Sequence, residues 1–327
     1  MAAIPTTQVP TRYPKSKSKS YQVRSLDENK FVGVQPLSKP SENSRGVFGG
    51  NLCAQAILAA QKTVDSSFVP NSLHSYFVKP GCDKTVCHYE IERLSQGKVF
   101  ANRLVRVYQK GDLKYVVMIS FSSRNSIDKT KRDYSAGKCN TMPFEYQLPV
   151  NSTFYKYNLH DIPTRTDFDH GQMLHHKFPP NFVDKELNID EHEKPAAERD
   201  LSFWVKLDDK KSSQFKYPGF GIISDSIFLT SVSRILQMPL QNGFPIGATG
   251  GKNDYFLSVS LDHSIYFHDD NFDPTNWIFV NFKTPRFCNN RVFIQAGYYD
   301  QNGKLFASIV QEGLVLFHNK AELKAKL

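Results

Sequence analysis

An aspartate stands in the middle of an apolar run, Leu261-Asp262-His263-Ser264-Ile265-Tyr266-Phe267-His268. Aromatic and β-branched residues make this run a strand. Alternate side chains of a strand point to opposite faces, so Asp262 and Ser264 share one face and His263 takes the other. A carboxylate withdrawn from water is costly unless it is hydrogen-bonded. Two readings of Asp262 therefore stand side by side: a structural carboxylate satisfied by partners or by water at a strand end, or a general base whose pKa burial raises toward a working range. Asp262-His263-Ser264 is no nucleophilic triad, because neighbouring strand residues cannot converge on one proton path. No Gly-x-Ser-x-Gly elbow is present, so serine-hydrolase chemistry is not supported. Gln311-Glu312 is a second polar pair in a strand-like run, and at most one of the two can face a site. His170, His175 and His176 lie near Asp167 and Asp169, but without metal-ligand spacing, so a solvated linker is expected and no metal.

These groups need elements to hold them. Arg45-Gly46-Val47-Phe48-Gly49-Gly50 leads into a helix over 51–63 that is apolar or small on nearly every face, broken mainly by Gln55, Gln61 and Lys62. Such a helix belongs inside a structure. The glycines allow a ligand or strand to approach its N-terminus, which offers free N–H groups and partial positive charge, or they serve only a tight turn. Strands are expected over 21–34, 73–78, 86–94, 99–109 and 113–122. The pattern then recurs: a strand over 201–207, a helix from Ser224 or Asp225 with Phe228, Val232 and Ile235 on its buried face, and strands over 256–268, 277–283, 291–299 and 305–317. Leu73-His74-Ser75-Tyr76-Phe77 answers Asp262-His263-Ser264-Ile265-Tyr266-Phe267, and the hairpin at 108–113 answers the one at 299–305. The sequence reads as one α+β unit present twice.

The 327 residues suffice for two domains. Abundant Phe (25) and Tyr (15) suit strands, and no apolar run is long enough for a membrane span. A net charge of +9 suits anionic partners. No zinc spacing, recognition helix or RNA-binding aromatic motif accompanies it, so no nucleic acid is expected, and a nucleotide-bearing small molecule satisfies the charge equally well. The five cysteines form no C-x-x-C pair, and their odd number speaks for a reducing compartment. Residues 1–20, rich in Pro, Ser, Thr and Lys, read as a flexible arm, with Pro5, Pro10 and Pro14 against a mitochondrial presequence. The domain division expected is the arm 1–20, a first unit 21–123, a linker 124–195, a second unit 196–318 that carries the catalysis, and a tail 319–327.

The stretches RGVFGGNLCAQAILAA, NSLHSYFVKPG, YEIERLSQGKVFANRLVRVYQKG, SLDHSIYFH and LFASIVQEGLVLF together resemble the acyl-CoA thioesterase II family. The likeness covers both halves in order and nearly everything outside the arm and linker. It implies a double hot-dog fold, α+β, each unit a central helix wrapped by an antiparallel sheet. It further implies hydrolysis of fatty acyl-CoA to free acid and CoA with no cofactor, by a water held by an Asp, a Thr and a Gln of the second half. On these motifs the Asp is Asp262, the Gln is Gln311, and the Thr is Thr284, where Phe282-Lys283-Thr284-Pro285-Arg286 departs from the family's Ser-rich run. Gly49, Gly50, Asn51 and His74 are expected at the substrate, with the thioester carbonyl polarised by a helix N-terminus at Gly49-Gly50-Asn51 or at Ser224-Asp225. A packed or surface role would serve His74 and His263 as well. The ending Ala325-Lys326-Leu327 is a variant of the peroxisomal signal, which implies the peroxisomal matrix and an import receptor as partner. Association into homo-oligomers through sheet edges or the basic surface stays open. Two rivals are a hot-dog enoyl-CoA hydratase, whose Asp–His loop is not found here, and a non-catalytic acyl-CoA carrier or sensor.

Overall fold

A computed structural model describes residues 21–40, 44–166, 173–184, 187, 191, 193–208, 215–237 and 255–317. The expected arm 1–20 and the tail 319–327 with Ala325-Lys326-Leu327 lie outside the described residues.

The first half opens with the short pair β1 (Val23–Ser25) and β2 (Lys30–Gly33), followed by helix α1 (Gly49–Gln61). Strands β3 (Val69–Phe77), β4 (His88–Gln96), β5 (Phe100–Gln109) and β6 (Asp112–Ser122) come next. Every residue of α1 from Gly50 to Ala60 is buried, as its all-round apolar surface requires. Its few polar side chains are tied down: Gln55 accepts from Tyr89 and donates to the Tyr21 carbonyl, and Asn51 accepts from Tyr21 and donates to Ser38. Beyond its C-terminal end the buried Arg103 guanidinium bonds to the hydroxyl and carbonyl of Thr63, a cation where the helix dipole is negative.

The connecting region contains α2 (Ile127–Ser135), α3 (Thr153–Lys156), β7 (Thr164–Arg165), β8 (Leu174–Lys177) and α4 (Pro180–Val183). It is therefore more than the solvated linker expected over 124–195. Met173, Leu174, Phe178 and Phe182 are core residues, and β8 pairs with β9 (Leu201–Leu207). The second half continues with α5 (Lys216–Ile223), the short α6 (Val232–Ile235), β10 (Tyr255–Ser260), β11 (Asp262–Phe267), β12 (Ile278–Cys288), β13 (Arg291–Tyr299) and β14 (Leu305–Phe317).

All pairings are antiparallel and make one continuous sheet. Its order is β1-β2-β4-β5-β6-β3-β11-β14-β13-β12-β9-β8-β7, with β10 beside β14. The run β4-β5-β6-β3 meets its counterpart β12-β13-β14-β11 in reverse, and β3 with β11 is the seam. Helices α1 and α5 pack against each other inside this sheet. Gly221 makes the approach possible, since a methyl group there would meet Ile57 Cδ1 at 3.2 Å and Ala54 N at 3.3 Å. This is the double hot-dog layout.

The repeat is real, but its alignment differs from the one read in the sequence. Antiparallel partners share a face, and the seam pairs Ser264 with His74 and His263 with Ser75. His74 is exposed on the outer face, bonded to Ser264 and edge-on to Tyr266, whereas His263 is fully buried. Matching His74 to His263 is thus one residue out of phase, and a one-residue slip turns every side chain to the wrong face. The two hairpins do correspond. Lys110 and Gly111, both at positive φ, form the two-residue turn between β5 and β6, and Gly303 at φ +76 closes the turn between β13 and β14.

Candidate active site

Helix α5 was not expected where it lies. Pro218, Gly219 and Gly221 discourage a helix over 216–223 on local propensity, and a helix starting at Ser224 or Asp225 was expected instead. Pro218 sits in the first turn, where its missing N–H breaks no helical hydrogen bond. Burial of every residue from Tyr217 to Ile223 outweighs the remaining glycine penalty. Ser224 and Asp225 therefore end a helix rather than begin one, and they cannot present helix N-terminal N–H groups. Phe228, Val232 and Ile235 are buried as expected.

The chain leaves α5 in a tight turn that carries Asp225 to the first turn of α1. Asp225 Oδ1 accepts from Gln311 Nε2 at 2.6 Å and from Ser260 Oγ at 3.0 Å. Gln311 Nε2 also lies 2.8 Å from Ser260 Oγ. The backbone N–H of Gly50 donates to the same carboxylate. Gly49 is needed for the approach, because a methyl group there would lie 2.5 Å from Asp225 Oδ2 and 2.8 Å from the Phe77 ring. Asp225 keeps some exposed surface, yet dense packing around it withdraws it from water, and burial pushes its pKa from 3.8 up to about 6 against the opposing pull of its three donors. Gln311 is 1% exposed, and its Oε1 has no hydrogen-bond partner. The site thus offers a carboxylate tuned near neutrality, a free amide acceptor and a helix N-terminus within one cluster.

Of the expected trio, only Gln311 belongs to this cluster. Asp262 pairs across β14 with Glu312, whose backbone N–H it binds at 2.9 Å, so its side chain and that of Gln311 leave the sheet on opposite faces. They cannot hold one water. Asp262 substitutes for a main-chain acceptor where β10 breaks into β11 at Leu261, and burial raises its pKa. Thr284 is buried and sits at a register shift of β12 against β13, opposite Ile294, which pairs with Gln311 on β14. Two strand spacings, about 10 Å, separate its backbone from that of Gln311. Gly49 and Gly50 lie at the cluster. Asn51 does not, since its side chain is occupied by Tyr21 and Ser38, and His74 is on the outer face of the sheet.

The sequence pointed to Asp225 only as a helix start beside the thioester carbonyl, not as a carboxylate of the site, and gave no sign of Ser260. Strict alternation from Asp262 would put Ser260 on the outer face. Ser260 pairs with Gly313 and Ser264 with Val310, so one strand advances four residues while the other advances three. This bulge at the β10–β11 break turns Ser260 inward and leaves Asp262 outward. Asp225 had one usable signal, an acidic residue closing an apolar stretch, Phe220-Gly221-Ile222-Ile223-Ser224-Asp225. Its reading as a helix cap concealed it.

Among the described residues no group of His, Cys, Asp and Glu could hold a metal ion, and no helix is long and apolar enough to cross a membrane.

Family models match both halves in order. The acyl-CoA thioesterase N-terminal domain matches residues 38–122, and the acyl-CoA thioesterase C-terminal domain matches residues 159–315. The chain is 26% identical to the peroxisomal acyl-coenzyme A thioester hydrolase 1 of Saccharomyces cerevisiae, over 91% of this chain and 92% of that protein. It is 24% identical to human acyl-coenzyme A thioesterase 8, over 89% and 85%. Among solved structures, an acyl-CoA thioesterase II from Mycobacterium marinum matches with a TM-score of 0.66 at 18% identity, over 93% of this chain and 99% of that one. A putative thioesterase II from Thermobifida fusca matches with a TM-score of 0.67 at 13% identity, over 91% and 97%. The structural likeness establishes the double hot-dog fold. With both domain models matched in sequence along most of its length, this chain belongs to the acyl-CoA thioesterase family.

Proposed function

We propose that this protein hydrolyses acyl-CoA thioesters to a free acid and CoA, with Asp225 as general base and Gln311 and Ser260 fixing the carboxylate and the attacking water. The observation that carries the reading is the buried Asp225 carboxylate, held by Gln311, Ser260 and the Gly50 N–H, with its pKa raised to about 6. A base of that pKa is mostly ionised at neutral pH and still accepts a proton readily. A water between Asp225 and the free Oε1 of Gln311 would give both its O–H groups to acceptors, aiming a lone pair at the thioester carbon. As the C–O bond forms, its proton passes to Asp225. The first turn of α1 stabilises the charge developing on the carbonyl oxygen. When the C–S bond breaks, the thiolate takes the proton from Asp225, and the acid and CoA leave.

The family resemblance and the names of the relatives support this substrate class; catalysis in the second half, with Gln311, is what the resemblance implies. Asp225 and Ser260 take the places first read as Asp262 and Thr284. A peroxisomal address, through Ala325-Lys326-Leu327, is in keeping with the name of the yeast relative.

The test is thiol release from short- and long-chain acyl-CoA by the wild type, Asp225→Asn and Asp262→Asn. Asp225→Asn should lose at least a hundredfold in kcat, within the usual range of about 10² to 10⁴ for a general base. Asp262→Asn keeps an acceptor for the Glu312 N–H and should stay close to wild type. The reverse pattern would return the base to Asp262. No release by the wild type on any chain length would leave an acyl-CoA carrier.

A further inference from the structure

The turn that presents Asp225 is not held by its own backbone alone. Ile227, two residues on, has φ +52, a left-handed conformation that a β-branched residue adopts only under constraint. Two buried histidines grip the serines on either side of the carboxylate. His263 on β11 lies with Nε2 3.0 Å from Ser224 Oγ, and His176 on β8 lies with Nε2 2.8 Å from Ser226 Oγ. Both imidazoles are 0% exposed. Ser224 Oγ donates to the Gly221 carbonyl at 3.0 Å, so the His263 bond runs from Nε2–H to the serine oxygen and the ring is the neutral ε tautomer. His176 is set in turn by a stacked contact with Phe178. One histidine thus comes from the seam of the two halves, the other from the connecting region.

We propose that His263 and His176 are positioning residues that clamp the Ser224-Asp225-Ser226 turn from two sides and keep the Asp225 carboxylate seated against Gly50, Ser260 and Gln311. Each ring reaches the turn through a serine next to Asp225, His263 through Ser224 and His176 through Ser226. The inference rests on Asp225 as the base for its bearing on catalysis, but the clamp itself can be read on the carboxyl group alone.

The readout is the ionisation of Asp225. Among the described residues, the titratable groups that face it are Cys53 from α1, Tyr115 from β6 and Tyr298 from β13, with His263 and His176 next to the turn. Burial pushes the Cys53 thiol up to about 12, raises both tyrosines well above their usual value, and pushes His263 down to about 3. None of these four changes charge between pH 5 and 8, and Ser224→Ala and Ser226→Ala leave both histidines in place, so a shift of Asp225 in those two variants reports its packing.

The experiment titrates the Asp225 carboxyl in the full chain, by isotope-edited infrared difference against Asp225→Asn, in His263→Ala, His176→Ala, His263→Gln and His176→Gln. Ser224→Ala and Ser226→Ala remove the same hydrogen bonds with a smaller void, and so keep the test open if an alanine variant at either histidine fails to fold. Loosening the turn admits water, and the carboxyl pKa should fall by about one unit toward the ordinary value. The acid limb of kcat should move with it while KM changes little, and the Gln variants, which retain a neutral N–H donor, should restore both. An unmoved carboxyl titration in folded Ser224→Ala and Ser226→Ala overturns the clamp. Failure of the base assignment is a separate result, seen as full thiol release by Asp225→Asn.

Discussion

Asp225 gives the protein a pH signature that can be measured without substrate. Its carboxyl titrates at about 6 in the fold, raised by burial from 3.8, a shift of about two units or roughly 3 kcal/mol. Between these two values the folded chain holds a proton that the unfolded chain has released. Stability from this group is therefore full below the unfolded pKa and is lost as pH rises through the folded one. About half of that loss, roughly 1.4 kcal/mol, falls between pH 5 and pH 8. Asp225→Asn cannot ionise and carries no such term. Its stability relative to wild type should rise by that amount over the interval, about 2 °C in melting temperature for a chain of this size. The assay is a series of thermal melts of both proteins from pH 5 to pH 8, reading the difference at each pH. Any fixed mismatch of the asparagine amide with its donors cancels in that comparison. A difference that stays flat would refute the argument that burial has raised this carboxyl, and with it the base poised near neutrality.

Two further outcomes follow from the geometry and the sequence. Gly49→Ala puts a methyl group 2.5 Å from Asp225 Oδ2 and against Phe77, which should destabilise the fold by about 1–3 kcal/mol and lower thiol release about tenfold or more; wild-type melting and turnover would mean that α1 does not approach the carboxylate this closely. A fluorescent fusion ending in Ala325-Lys326-Leu327 should collect in peroxisomes, and one lacking that tripeptide should not; equal distribution of the two would refute the address.

The sequence alone determined the architecture to a large extent. An all-apolar helix must be enclosed, as Gly50 to Ala60 are. The alternating runs and glycine-bearing hairpins marked the strands around it, and the recurrence of both announced two units. Family motifs added the chemistry expected of such a pair and pointed to Gln311 and Gly49-Gly50, which the fold brings together beside Asp225. Residues in regular elements obey the periods of those elements, which is why the enclosed helix and the strands were legible.

Tertiary structure alone decided which carboxylate meets Gln311. Strand alternation carries no information about a bulge, and the single extra residue at Leu261 sends Ser260 inward and Asp262 outward. Local propensity disfavours a helix through Pro218, Gly219 and Gly221, yet burial between α1 and the sheet forms one and so places Asp225 at its end. His176 lies in a stretch whose composition reads as solvated, and it is buried beside Ser226 because β8 joins the sheet. Each of these outcomes depends on contacts between residues far apart in the sequence. Such contacts fix faces and distances that no local pattern encodes.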